Sequence, residues 1–236
     1  MTSAQSTALL TVEGLTCRIG GVCAVDDVDL SVAEGSITGV VGPNGAGKTT
    51  LFNAMTGFVT YQSGDVRWSG QSVRGWRPHR VANAGLARTF QNAAGFGRLT
   101  VRQNITLAAR RRGGPDVDEI CSILLLEGEL DRRLSACSLA TRKLVGIAMA
   151  AVRRPRMILL DEPLSGLDLM ERDAVVETVR LLRDRGVTVL LIEHDIDRTL
   201  SLVDELTILD VGRKIAHGSP TDLAGDPALR DVYLKM

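Results

Sequence analysis

Apolar residues come in short strand-like runs, broken by glycine-bearing turns, over the first part of the chain. The runs 9-LLTVEGL-15, 28-VDLSV-32 and 37-ITGVV-41 predict strands, with Gly20-Gly21 and Glu34-Gly35 turning between them. A helix is expected from Lys48 to Met55, then a turn at Ser63-Gly64 and a short strand, 65-DVRW-68. From about Asn92 to Val152 the chain grows rich in Ala, Arg and Leu and predicts helices over 101-VRQNITLAARR-111, 117-VDEICSILLL-126 and 141-TRKLVGIAMAAV-152. Beyond Pro155 strands and helices alternate again: strand 157-MILL-160, helix 168-DLMERDAVVETVRLLRDR-185 and strand 187-VTVLLI-192. Two last strands are expected at 206-LTIL-209 and 213-RKIA-216.

Strands alternating with helices imply an α/β fold, a largely parallel sheet covered by helices. The helical block then reads as an insertion, leaving one domain with an α/β core over about 1–91 and 155–236 and a helical subdomain over 92–154. With 28 basic and 28 acidic residues the net charge is zero, which argues against a nucleic-acid partner held by overall basicity. The clusters Arg110-Arg111-Arg112 and Arg153-Arg154 read as solvated helix faces. Cys17, Cys23, Cys121 and Cys137 form no C-x-x-C pair and are expected as buried free thiols in a reducing compartment. Met1 to Ala8 lacks an apolar signal region, and no apolar run approaches the roughly 20 residues of a spanning helix. A cytoplasmic protein is expected, linked to a membrane only through a partner.

The candidate chemistry begins at the end of the third strand. Gly42-x-x-x-x-Gly47-Lys48-Thr49 has the full P-loop pattern, spanning Gly42, Pro43, Asn44, Gly45, Ala46 and Gly47, with Lys48, Thr49 and Thr50 opening the helix. Glycines let consecutive backbone N–H groups approach phosphate oxygens without Cβ clashes, and the helix start adds its positive dipole end. The Lys48 ammonium can reach β- and γ-phosphates, and the Thr49 hydroxyl can ligate Mg²⁺. A second element, 157-MILLDEP-163, runs an apolar strand into two acids. Asp161 is suited to hold Mg²⁺ or its waters, and Glu162 to polarise the attacking water. In 187-VTVLLIEHD-195 a further buried-type strand ends at His194, which a neighbouring parallel strand would bring to the same sheet edge to contact the γ-phosphate. His79 and His217 read as structural or exposed.

In this order the pieces resemble the ATP-binding-cassette (ABC) ATPases. The resemblance implies a P-loop NTPase fold with a mainly parallel core sheet, an N-terminal antiparallel β subdomain and an inserted α-helical subdomain. It implies ATP and Mg²⁺ as cofactors. It makes Gln91, in 88-RTFQN-92, the glutamine that binds Mg²⁺ and senses the transmembrane partner, and 165-SGLD-168 the loop whose Asp168 crosses to the other subunit in an ATP-bound dimer. The stretches 48-KTTLFNAMTGF-58, 78-PHRVANAGLARTFQN-92, 98-RLTVRQNI-105 and 226-DPALRDVYL-234 are similar to the ATPases of branched-chain amino-acid importers. Urea and short-chain-amide importers have closely similar ATPases. Exporter ATPases and soluble non-transport cassettes are the remaining alternatives.

The resemblance further implies two transmembrane permease subunits, a second, different ATPase subunit and, indirectly, a substrate-binding protein, at the inner face of the cell membrane. Permease contact is expected on 92-NAAGFGRLTV-101, with Phe96 lining a groove. Two departures stand out. The family signature Leu-Ser-Gly-Gly-Gln aligns without gaps on 137-CSLAT-141, keeping Ser138 to contact the γ-phosphate of the opposite subunit; the register 134-LSACS-138 needs an insertion. In the gapless register the side chains of Leu139 and Ala140 are expected to hinder that approach. Ile19 stands where the family stacks an aromatic on adenine, so an apolar contact survives without the stacking, worth about 1 kcal/mol.

Overall fold

The computed structural model describes residues 8–90, 95–109 and 117–224. Along the chain come β1 (Ala8–Ile19), β2 (Val22–Ala33), β3 (Ile37–Val41), α1 (Lys48–Met55), β4 (Ser63–Trp68), β5 (Gln71–Ser72), α2 (Pro78–Asn83) and β6 (Leu86–Arg88). Then follow α3 (Val101–Ala109), α4 (Val117–Ile123), two short 3-10 turns (Glu127–Glu129 and Leu134–Ala136) and α5 (Leu139–Ala151). The remainder is β7 (Met157–Asp161), α6 (Leu169–Asp184), β8 (Thr188–Glu193), α7 (Ile196–Leu200), β9 (Glu205–Asp210), β10 (Arg213–Gly218) and α8 (Pro220–Leu223). By mutual contact these elements form two units, one within Met1–Ala84 and Leu190–Met236, the other within Gly85–Val189.

In the first unit an antiparallel sheet runs β2-β1-β4-β5. Alternation along β1 buries Leu10, Val12, Leu15 and Cys17 on one side of the pleat. The 9–15 and 28–32 runs thus extend into 12-residue strands, because their polar flanks still pair across the ladder. Ser63-Gly64, expected as a turn, opens β4 instead, where Ser63 pairs with Thr16. A second sheet starts from β3, every residue of which is buried, as expected of a strand covered on both faces. It pairs in parallel with β9, and β10 adds an antiparallel edge.

In the second unit β6 pairs in parallel with β7, and helices α3 to α6 supply the apolar faces. Helix α6 buries Val175, Thr178, Val179 and Leu182, the i, i+3, i+4, i+7 stripe of an amphipathic helix. Its start is set by Asp168, whose carboxylate accepts from Glu171 N while the Glu171 side chain accepts from Asp168 N. Helix α4 stops at Ile123, short of the expected Leu126. Leu125 turns left-handed (φ 56°), and Leu126 N closes onto Cys121 O, so Leu124 and Leu126 stay buried while Leu125 faces out. The apolar run therefore reflects burial on both sides of a helix end. Arg153 and Arg154 lie just past α5 and are exposed, with Arg154 paired to Glu119; Arg110 to Arg112 lie outside the described residues. The four cysteines are free, with Cys17, Cys121 and Cys137 buried and Cys23 half-buried. Among the described residues no helix is long and apolar enough to cross a membrane.

Candidate functional site

In the first unit the buried strand β3 delivers the chain into the 42–47 loop, and α1 leaves it at Lys48. Gly47 caps that helix with φ 98° and no side-chain acceptor, and no acidic residue occupies the first turn. The leading amides of α1 have no intrahelical acceptor, and no acidic side chain of the helix's own first turn competes for them. Lys48 is buried, with its Nζ donating to Gly42 O (2.6 Å) and Pro43 O (3.0 Å). A buried ammonium held by carbonyl dipoles beside an uncapped helix start is the chemistry a polyphosphate requires. Thr49, Asn44 and Gly45 are exposed, Pro43 and Thr50 are half-buried, and Ala46 is buried.

The reason for glycine at two of these positions differs from the sequence expectation. A Cβ on Gly42 would stand 2.1 Å from Leu209 O, and one on Gly47 would stand 2.2 Å from Ala24 O. Their bareness lets the loop pack on the protein's own backbone, whereas Gly45 faces open space. The packing partners expose a residue that sequence reasoning missed. Gly212, in the β9–β10 turn, donates its N–H to Ala46 O (3.1 Å), and its carbonyl accepts from Asp26 N (2.8 Å). It ties the phosphate loop to β2, and Arg213 reinforces the same corner by pairing with Asp26 (2.6 Å). The only sequence signal was a Val-Gly turn between two expected strands.

Two more predicted residues lie in this unit. Ile19 ends β1 and is about half exposed, and its hairpin continues into the stretch of β2 that carries Ala24. His194 is exposed, one residue past the end of β8 rather than within it; its Nδ1 lies 3.7 Å from the carboxylate of buried Glu193.

In the second unit Asp161 closes β7 and is buried beside Arg88, whose Nη2 stands 2.8 Å from Oδ2. Both side chains are nearly excluded from solvent, at 6% and 4% exposure, so each neutralises what would otherwise be an isolated buried charge. The Asp161 N–H donates to Thr89 Oγ1 (3.3 Å), and Thr89 N donates to Leu159 O (2.9 Å), which fixes the strand end. Glu162 adopts φ 49°, a left-handed conformation that costs a non-glycine residue on the order of 1–3 kcal/mol. Its carbonyl accepts from Lys143 Nζ (2.6 Å), a partner on α5 that no sequence pattern announced. Five other non-glycine residues among those described, Leu125 included, share a positive φ, so the conformation by itself assigns Glu162 no role.

Ser138 is the N-cap of α5, its hydroxyl accepting from Thr141 N (3.1 Å). Ala140 is buried, so of the two residues that replace the signature glycines only Leu139 is left partly exposed. Cys137, just before Ser138, is buried too, which pushes its thiol above the ordinary value, and the Glu129 carboxylate adds to the rise. Asp168 spends its carboxylate on capping α6, and beyond it Leu169 and Met170 are strongly exposed. Gln91 lies outside the described residues. The P-loop, Ile19 and His194 therefore belong to one unit, and Asp161, Glu162, Ser138 and Asp168 to the other.

Comparison with known proteins agrees with these features. The ABC transporter family profile matches residues 25–165. The chain is 34% identical to the high-affinity branched-chain amino acid transport ATP-binding protein BraF of Pseudomonas aeruginosa, over 98% of this chain and 99% of BraF. It is 32% identical to the corresponding LivG protein of Escherichia coli, over the same shares of each chain. Among solved structures, MJ1267, an ATP-binding cassette of an ABC transporter in its ADP conformation, is similar with a TM-score of 0.88 and 28% identity, covering 98% of this chain and 100% of that one.

Proposed function

The chain belongs to the ABC transporter family and is an ATPase, and on that premise we propose that it powers an importer of branched-chain or related amino acids. The observation that carries the reading is end-to-end likeness, over 98% of this chain, to two proteins named for branched-chain amino acid transport. The P-loop geometry supports the ATP half of the proposal. On binding nucleotide, Lys48 would exchange the Gly42 and Pro43 carbonyls for β- and γ-phosphate oxygens, and the first amides of α1 would donate to the same anion.

The oxygen donors of Thr49, Gln91 and Asp161 fit Mg²⁺, a hard cation that would neutralise charge developing between the β- and γ-phosphates. Glu162 would take the proton of the attacking water, and His194 would hold that water against the γ-phosphate. Ser138 would contact the γ-phosphate of the opposite subunit, and Asp168 would reach toward that subunit. Closure on ATP and opening after hydrolysis would drive two permease subunits between their inward- and outward-facing states. Permease contact would fall on the segment that includes Gly95 to Thr100, where Phe96 is exposed. The second ATPase would be a different subunit, and the assembly would sit on the inner face of the membrane, fed by a substrate-binding protein.

The test is uptake. The complex co-purified with its permeases is placed in liposomes, with ATP on the side of this subunit and the binding protein opposite. Accumulation of leucine, isoleucine or valine that Glu162→Gln abolishes is the expected result. ATP hydrolysis without movement of any of the three would overturn the importer assignment and leave the ATPase standing.

A further inference from the structure

Asn104 is fully buried in α3, an uncommon place for a primary amide, and its side chain is spent on one loop. Its Oδ1 accepts from Phe96 N (2.7 Å), and its Nδ2 donates to Thr100 O (2.9 Å), Phe96 O (3.2 Å) and, more weakly, Leu99 O (3.4 Å). One side chain thus supplies polar partners to three residues of the 96–100 loop.

The opposite edge of that loop is bonded to the segment leading into α5. Leu134 N donates to Leu99 O (2.9 Å), Ser135 N to Gly97 O (3.0 Å), Val101 N to Arg132 O (3.0 Å) and Arg102 N to Leu130 O (3.0 Å). Thr100 and Arg133 form an antiparallel bridge. Gly95 permits the fit, since a Cβ there would stand 2.2 Å from the Leu134 side chain and 3.2 Å from Asn104 Oδ1. The 134–136 turn ends one residue short of Cys137, and Cys137 is followed by Ser138. The Leu99 carbonyl, shared by Asn104 and Leu134, stands in the middle of this path.

We propose that Asn104 is a positioning residue that locks the Phe96 loop and the 130–136 segment into one rigid piece, so that a push at Phe96 is delivered to Ser138. This rests on the reading of Phe96 as permease-contacting and Ser138 as phosphate-contacting. Without the amide, the loop keeps its bonds to 130–135 but loses the side that holds it still, and the push dissipates in the loop. Neither aspartate nor serine supplies the same set. Aspartate would set a carboxylate against three carbonyls, and serine is too short to reach both Phe96 and Thr100.

Asn104→Ser and Asn104→Asp are compared with the natural protein. Amide exchange in the isolated chain should rise by about tenfold together over 96–101 and 130–135, while exchange in β3 and α1 stays unchanged. Affinity for a fluorescent ATP analogue should stay within about twofold, whereas permease-stimulated hydrolysis in the full transporter should fall by roughly tenfold. Such a split separates positioning from general loss of stability, which would lower all readouts together. Loosening confined to 96–101, or stimulation within about twofold of natural, overturns the proposal. Phe96→Ala tests the docking reading separately: stimulation that survives it removes that reading, while the joint loosening is read in the isolated chain without any permease.

Discussion

Arg88 and Asp161 allow a prediction with a worked magnitude. The pair is 2.8 Å apart, with 6% and 4% of the side chains exposed. At an effective dielectric constant near 20 and about 4 Å between charge centres, their attraction is about 4 kcal/mol. Desolvating the two ions costs several kcal/mol, so the intact pair contributes little net stability, but removing one partner strands the other and costs about 3–5 kcal/mol. The Arg88 guanidinium also lies 5.2 Å from the Phe90 ring centroid, a contact worth about 0.5–1 kcal/mol at a partly exposed site. Arg88→Met therefore destabilises the nucleotide-free protein by about 3–5 kcal/mol in urea unfolding, and Asp161→Asn by a similar amount.

The double variant decides between pairing and mere crowding. Arg88→Met and Asp161→Asn combined leave no stranded charge, so the double variant should fall short of the sum of the single losses by about 2–3 kcal/mol. The Phe90 contact is lost in both variants that lack Arg88 and cancels from the cycle. If Asp161 holds Mg²⁺, the loss caused by Arg88→Met shrinks in Mg·ATP relative to ATP with chelator, because the cation takes over the guanidinium's charge. Additivity within about 0.5 kcal/mol would refute the reasoning, since it means neither charge depends on the other for its burial.

Single sites give three further tests. Gly212→Ala places a Cβ 3.0 Å from Ala24 O at φ 79°; it should destabilise the protein by about 1–2 kcal/mol and weaken ATP-analogue binding by roughly tenfold, whereas unchanged binding would remove Gly212 as a brace of the P-loop. Burial raises the Cys17 and Cys137 thiols, and only the thiolate is alkylated, so iodoacetamide labelling of the native protein at both should be slow near pH 8 and still climbing above about pH 9. A plateau below about pH 8.5 contradicts this. In the reconstituted complex Glu162→Gln should lower hydrolysis far more than Ser138→Ala, because the P-loop half of this chain is complete while its signature is irregular; equal losses would show that the two sites share the work.

Elements whose pattern is local were readable from the sequence almost residue for residue. The buried run 37-ITGVV-41 and the helix from Lys48 to Met55 match β3 and α1, because continuous burial and the glycine-to-lysine switch are written in neighbouring residues. The elements β5, β6, α2, α7 and α8 were not readable: they hold two to six residues each, too few for a period to emerge, and unlike the equally short β3 and β7 none is a continuous apolar run. The end of α4 was lost for a different reason. Leu124 and Leu126 are buried on either side of an outward-turned Leu125, so hydrophobicity continues through the point where the helix stops.

The candidate site divides along the same line. Lys48 and Asp161 could be placed from the sequence because one opens α1 and the other ends β7, both elements with a contiguous pattern, and Glu162 follows directly. The residues that hold them are far off in the chain: Gly212 is bonded to Ala46, Arg88 to Asp161, and Lys143 to the Glu162 carbonyl. A spacing rule cannot reach across such separations, since nothing near Arg88 requires a buried carboxylate and nothing near Gly212 requires a phosphate loop. The glycines of the P-loop show how a correct pattern can carry an incomplete reason. Gly42 and Gly47 must be bare even with no phosphate present, because Leu209 O and Ala24 O occupy the space of a Cβ. Substitution at either should therefore destabilise the fold before nucleotide is added, whereas Gly45, which faces open space at φ 83°, would be limited by its backbone conformation alone.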